Sequence, residues 1–133
     1  MDVPKTTQMI NNQLLDHIVD TTAMVYGVTE EELASPCRKQ HLVYARNMVA
    51  DIAYSEFLYT YSFIGHRLNR THGTLIKNLE SFAQDCRTNP QLKAIRAMIH
   101  QSAKEFLQQQ LQTVHLQAGA ASAVGDPTII GNP

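Results

Sequence analysis

Apolar residues recur three and four positions apart along most of this chain, and almost no segment alternates with period two. That is the spacing of amphipathic helices rather than strands. Ile10, Leu14, Ile18 and Val25, with Leu15, Val19 and Tyr26 beside them, predict a first helix of about five turns that stops at Gly27. Thr29 and Glu32 make a capping box, in which the hydroxyl accepts an orphan amide and the carboxylate reaches back. A short helix is therefore expected from Glu30 to Ala34, ended by Ser35-Pro36 because the residue before proline avoids helical angles. A third helix is predicted over Arg38–Phe57, with Leu42, Ala45, Val49, Ile52 and Ala53 on one side. A fourth follows over Tyr61–Leu68 and a fifth from Thr71 to about Arg87. Asn89-Pro90 supplies a cap and a first-turn proline for a sixth, which continues through Leu92, Ile95, Ile99, Ala103, Phe106, Leu107 and Val114. The expected fold is all-α, with about six helices.

Leu92, Ile99 and Phe106 repeat every seven residues, which would also suit a homodimer paired through the C-terminal helix. The alternate positions, Ile95, Ser102 and Gln109, lose hydrophobicity along the helix, so packing back on the bundle is favoured. The chain then divides into a flexible N-terminus over 1–8, a helical domain over 9–88, the long helix over 89–117 and a tail over 118–133. Small residues, glycines and prolines mark that tail as flexible.

The stretch YSFIGHRLNRTHGTLIKNLESF, Tyr61 to Phe82, reads as a short helix, a tight turn and a second helix opening with Arg70, Thr71, His72 and Thr74. This is the order of a helix-turn-helix, whose second helix meets base edges when its N-terminal end enters a DNA major groove. Arg70 can donate a bidentate pair to guanine, His72 can donate to a base acceptor or rest on a thymine methyl, and Thr74 offers a hydroxyl and a methyl. The free amides at the helix start favour phosphate.

The same residues resemble the DNA-binding domain of the bacterial replication initiator DnaA. There a helix with Ile-Gly near its start is followed by a turn and the signature Arg-Asp-His-Thr-Thr-Val. Ile64-Gly65 and then Arg70-Thr71-His72-Gly73-Thr74-Leu75 look like a divergent copy, with a turn one residue shorter. Upstream, VYGVTEEELASPCRKQHLVYARNMVADIA, Val25 to Ala53, is similar to that family's short acidic helix, basic loop and long central helix. The resemblance spans roughly 10–82 and implies a fold of the Trp-repressor type; the initiator's nucleotide-hydrolysing part has no counterpart. It implies base and backbone contacts for the histidine and threonines of the signature, and base recognition at the aspartate, which is Thr71 here. With Thr71 there the acidic acceptor for a cytosine amine is gone, so the family's usual target is not expected to carry over; Gly73 stands for the first threonine. In the loop PCRKQH, Arg38 aligns with an arginine that enters the minor groove in the family, where narrow A·T-rich tracts attract it. Base contacts are thus expected from Arg38, Arg70, Thr71, His72 and Thr74, and phosphate contacts from Lys39, Arg46, Arg67 and Lys77.

Charge agrees with this placement. The 133 residues carry a net charge of −1, yet residues 35–80 hold six basic against three acidic side chains, while residues 1–34 hold one lysine against six acids. The positive excess falls where a DNA footprint would lie. Composition, at 44% hydrophobic and 17% charged, is that of a soluble globular domain, and no run is long enough for a membrane span or a signal peptide. A cytoplasmic, nucleoid-associated setting is expected, with Cys37 and Cys86 as free thiols. The six histidines, His17, His41, His66, His72, His100 and His115, include no i, i+4 pair, so no metal site is expected. Tyr54, Phe57, Tyr59, Tyr61 and Phe63 are expected to pack between the third and fourth helices rather than to serve as a platform for single strands. There is no nucleophile triad, phosphate-cradling glycine loop or carboxylate pair; no enzyme, cofactor or nucleotide is expected. The expected function is sequence-specific binding of double-stranded DNA in replication or transcription regulation. The alternative is a helical protein-interaction module that kept the scaffold and lost DNA.

Overall fold

A computed structural model describes residues 5–123, with side chains described over 8–113. The elements are α1 (Lys5–Tyr26), α2 (Glu30–Ala34), α3 (Gln40–Phe57), α4 (Tyr61–Leu68), α5 (His72–Thr88) and α6 (Pro90–Ala123). The α3 helix is the hub and touches each of the other five. Every residue from Ala45 to Ala53 is buried, so the apolar stripe seen in the sequence is only part of what this helix hides. Around it lie Leu14, Leu15, Ile18 and Val19 of α1, Leu75, Leu79 and Phe82 of α5, and Ile99 and Ala103 of α6. No helix among the described residues is long and apolar enough to cross a membrane.

Local chemistry explains the boundaries. Gly27 takes φ +67°, which stops α1 without the penalty a Cβ would bring. Both halves of the Thr29–Glu32 capping box form, at 2.9 and 3.0 Å. Thr60 caps α4 by accepting from the Phe63 amide, and Asn89 caps α6 by accepting from the Gln91 amide. The α3 helix begins at Gln40, two residues later than expected, because Lys39 is still extended (φ −58°, ψ 142°) and offers no side-chain cap. Arg38 and Lys39 therefore belong to the loop. The α1 helix starts at Lys5, inside the segment expected to precede it, and α6 continues to Ala123, into the expected tail. The rest of that tail, 124–133, lies outside the described residues, as do 1–4.

The α6 helix lies along α1 and also meets α5 and α3. Leu92 and Ile99 are buried and Phe106 packs against the core, so the seven-residue stripe is spent inside the domain. Polar contacts fasten the same joint. The His17 ring stacks on Phe106 at 4.4 Å and its Nε2 meets Ser102 Oγ at 3.0 Å. Arg96 pairs with Asp51 at 2.6 Å and Glu56 at 2.9 Å.

Candidate nucleic-acid interface

The turn between α4 and α5 is built by backbone fit. Asn69 adopts the left-handed conformation (φ 56°, ψ 49°), one that asparagine tolerates better than most residues. The Arg70 amide then donates to Gly65 O at 2.8 Å. A Cβ on Gly65 would sit 2.4 Å from Arg70 O, so only glycine lets the turn close this tightly. Thr71 caps α5, its Oγ1 accepting from the Thr74 amide at 3.2 Å and donating to Thr74 Oγ1 at 2.8 Å. Its hydroxyl is committed to starting the helix rather than free for a base. Thr74 keeps its own hydroxyl proton to donate outward. His72, the first residue of α5, is exposed, with its ring 5.2 Å from that of Tyr61.

A second construction ties this turn to the basic loop. The carbonyls at the C-terminal end of α2 have no partners within their own helix. Arg46 reaches Leu33 O with Nε at 2.7 Å, and Glu32 O and Ser35 O with Nη2 at 3.0 and 2.9 Å. Asn69 donates to Ala34 O at 3.2 Å. Arg70 donates through Nη1 to Asn69 O at 2.9 Å and through Nη2 to Ser35 O. Ser35 O is thus gripped by Arg46 from α3 and by Arg70 from the helix-turn-helix, which holds the loop against the recognition helix. Cations also suit the negative end of a helix.

The geometry reassigns several expected contacts. Arg46 is only 5% exposed and its donors are spent on α2, so it is a buried cap and not a phosphate anchor. Four residues after Leu42 and three before Val49, it falls on the inner stripe of α3, a spacing that points inward without showing which carbonyls it meets. Arg67 pairs with Asp16 of α1 at 2.9 Å and with Glu30 of α2, so its charge is neutralised within the protein. Arg70 is half-buried and works as a clamp; bidentate reading of guanine would require it to release its carbonyls. Arg38, Lys39 and Lys77 are exposed, and among the described residues they make no side-chain hydrogen bond or ion pair.

Arg38, Arg70, Thr74 and Lys77 line a single open groove of about 640 Å³ between the loop and α5. Arg46, whose donors are spent on α2, Asn47 and Asn78 complete its polar lining; Asn78 follows Thr74 by one helical turn, whereas nothing in the sequence marked Asn47, which lies in the buried run of α3. The groove is electropositive. Burial, and then the neighbouring Arg38 charge, push the Arg70 guanidinium below the ordinary arginine value; burial and then Arg70 do the same to Arg46. Like charges held together in this way favour an anion between them. Among the described residues no group of histidine, cysteine, aspartate or glutamate side chains is arranged to hold a metal.

A family model described as the bacterial DnaA protein helix-turn-helix matches residues 15–81, half of the chain. No curated protein and no solved structure matches it. The matched span runs from Leu15 of α1 to Ser81 of α5 and takes in the loop of Arg38, the Ser35 clamp and the turn closed by Gly65. With its all-helical architecture and its recognition helix opening at His72, the chain belongs to the bacterial DnaA helix-turn-helix family of DNA-binding domains.

Proposed function

We propose that this protein binds double-stranded DNA with sequence preference, placing the first turn of α5 in the major groove and Arg38 in the adjacent minor groove. The supporting observation is that Arg38, Thr74 and Lys77 share one groove, with His72 exposed at the start of the same helix. A major groove about 12 Å wide admits a helix, and its base edges are distinguishable there. His72 and Thr74 read bases, Arg38 reads the width of the minor groove, and Lys39 and Lys77 meet phosphates. Arg70 acts by holding the loop and the helix in register. Such binding would serve the regulation of replication or transcription.

One observation favours a second reading. Arg46, Arg67 and Arg70 are consumed internally, which leaves few cations for phosphate. A helical interaction module would look similar. Selection of duplexes from a random pool at low salt separates the two, using the full chain, Arg38→Ala and His72→Ala. An enriched motif that weakens in both variants supports site-specific binding. No enrichment, with no retention of bulk duplex, leaves the interaction module.

A further inference from the structure

Three aromatic rings form a column that ends at the recognition helix. Tyr54 of α3 stacks on Tyr61, the first residue of α4, with centroids 4.1 Å apart and planes 12° from parallel. Tyr61 in turn meets the His72 ring at 5.2 Å and 51°. Tyr61 is half-buried and packs against the core, whereas His72 is exposed. The column thus runs from the central helix, across the first residue of α4, to the first side chain of α5. Tyr59 and Phe63 stack separately at 5.3 Å, and the Tyr59 hydroxyl donates to Asn11 O of α1. That second pair ties the α3–α4 loop to α1, whereas the Tyr54–Tyr61 stack joins α3 to α4 and continues to His72.

We infer that Tyr61 is a positioning residue for base readout, holding the exposed His72 imidazole in one orientation before DNA arrives. This rests on the DNA-binding role proposed above. An exposed histidine at the first position of a helix would otherwise sample several rotamers, and ordering such a side chain on binding weakens affinity. A ring fixed in advance by a tilted aromatic contact avoids that loss. Tyr54 braces Tyr61 from behind, so the orientation of His72 is tied to the most buried helix of the fold.

The test uses the full chain in two arms. In the free protein, the His72 ring protons should be shifted upfield in NMR spectra by the Tyr61 ring, a shift kept in Tyr61→Phe and lost in Tyr61→Leu, which retains apolar volume against the core. Absence of that shift in the wild type overturns the inference. On the selected duplex and its single-base variants, Tyr61→Phe should bind like the wild type. Tyr61→Leu should lose about three- to tenfold in affinity. Its loss of discrimination should be confined to the base pair that His72→Ala also ceases to discriminate, and the double variant should match His72→Ala alone. Losses that multiply, or that fall equally on every duplex, overturn the positioning role while leaving DNA binding intact. A wild-type pool that yields no motif overturns the DNA-binding proposal and this role with it.

Discussion

Arg46→Met tests whether the arginine is a cap or a DNA anchor, because the two roles fail in different measurements. In the structure its guanidinium serves three carbonyls, on Glu32, Leu33 and Ser35. Two of these keep other donors in its absence: Ser35 Oγ still reaches Glu32 O at 2.7 Å, and Arg70 still reaches Ser35 O. The Leu33 carbonyl, beside a side chain only 1% exposed, is left stranded. A buried acceptor without a partner costs about 1–3 kcal/mol, and the lost charge-assisted bonds add to this. Methionine fills much of the volume and needs no ionic desolvation, which offsets part of the loss. The net expectation is a destabilisation of about 2–4 kcal/mol, or a fall of about 7–14 °C in the thermal midpoint for a domain of this size. Circular dichroism on heating measures the midpoint, and fluorescence anisotropy on the selected duplex measures binding below it. A variant that unfolds at the wild-type temperature but binds DNA with a salt slope shallower by about 0.9 would refute the capping role and restore Arg46 as a phosphate anchor.

The two glycines of the helix-turn-helix should respond oppositely to alanine. Gly65→Ala places its Cβ 2.4 Å from Arg70 O, a backbone atom that cannot swing away, so urea denaturation should show a loss of about 1–3 kcal/mol, with weakened duplex binding. Gly73→Ala meets nothing within 4 Å inside a helix and should gain about 0.5–1 kcal/mol. Burial, partly offset by the bond to Ser102, holds the His17 pKa below its ordinary 6.5, so the unfolded chain binds this proton more readily than the fold does. Its contribution to stability is therefore full above pH 6.5 and is lost as pH falls through and below that value, a dependence that comparison of thermal midpoints should show reduced in His17→Gln. With Arg38, Lys39 and Lys77 as the free cations of the loop and α5, the logarithm of affinity should fall with the logarithm of salt at a slope of about −2.7, shallower by about 0.9 in Lys77→Ala. A slope unchanged by that substitution would place Lys77 outside the footprint.

Much of the local structure was legible because the signals that end helices act over a few residues. Thr29 with Glu32, Asn89 before Pro90, and Gly27 place their helix ends where the structure has them, and the predicted spans Glu30–Ala34 and Tyr61–Leu68 are the observed ones. The start of α3 was misjudged because Arg38 and Lys39 carry no sign of being extended; the loop's geometry comes from Pro36 and from the clamp on Ser35. The helix after the turn was legible to within one residue: its start was expected at Thr71, read as a base contact, whereas the structure makes Thr71 the cap and opens the helix at His72.

The sequence by itself determined the six helices, the family and the place of the helix-turn-helix, since periodicity, caps and the signature all act within a few turns. It did not determine which cations stay free. That depends on acceptors far along the chain: Leu33, 13 residues from Arg46; Ser35, 35 residues from Arg70; and Asp16, 51 residues from Arg67. A guanidinium in water and one gripping the carbonyl end of a helix are written with the same letter. Only the packing of α1, α2 and α3 against the turn decides that Arg38, Lys39 and Lys77 face outward while Arg46, Arg67 and Arg70 hold the fold together.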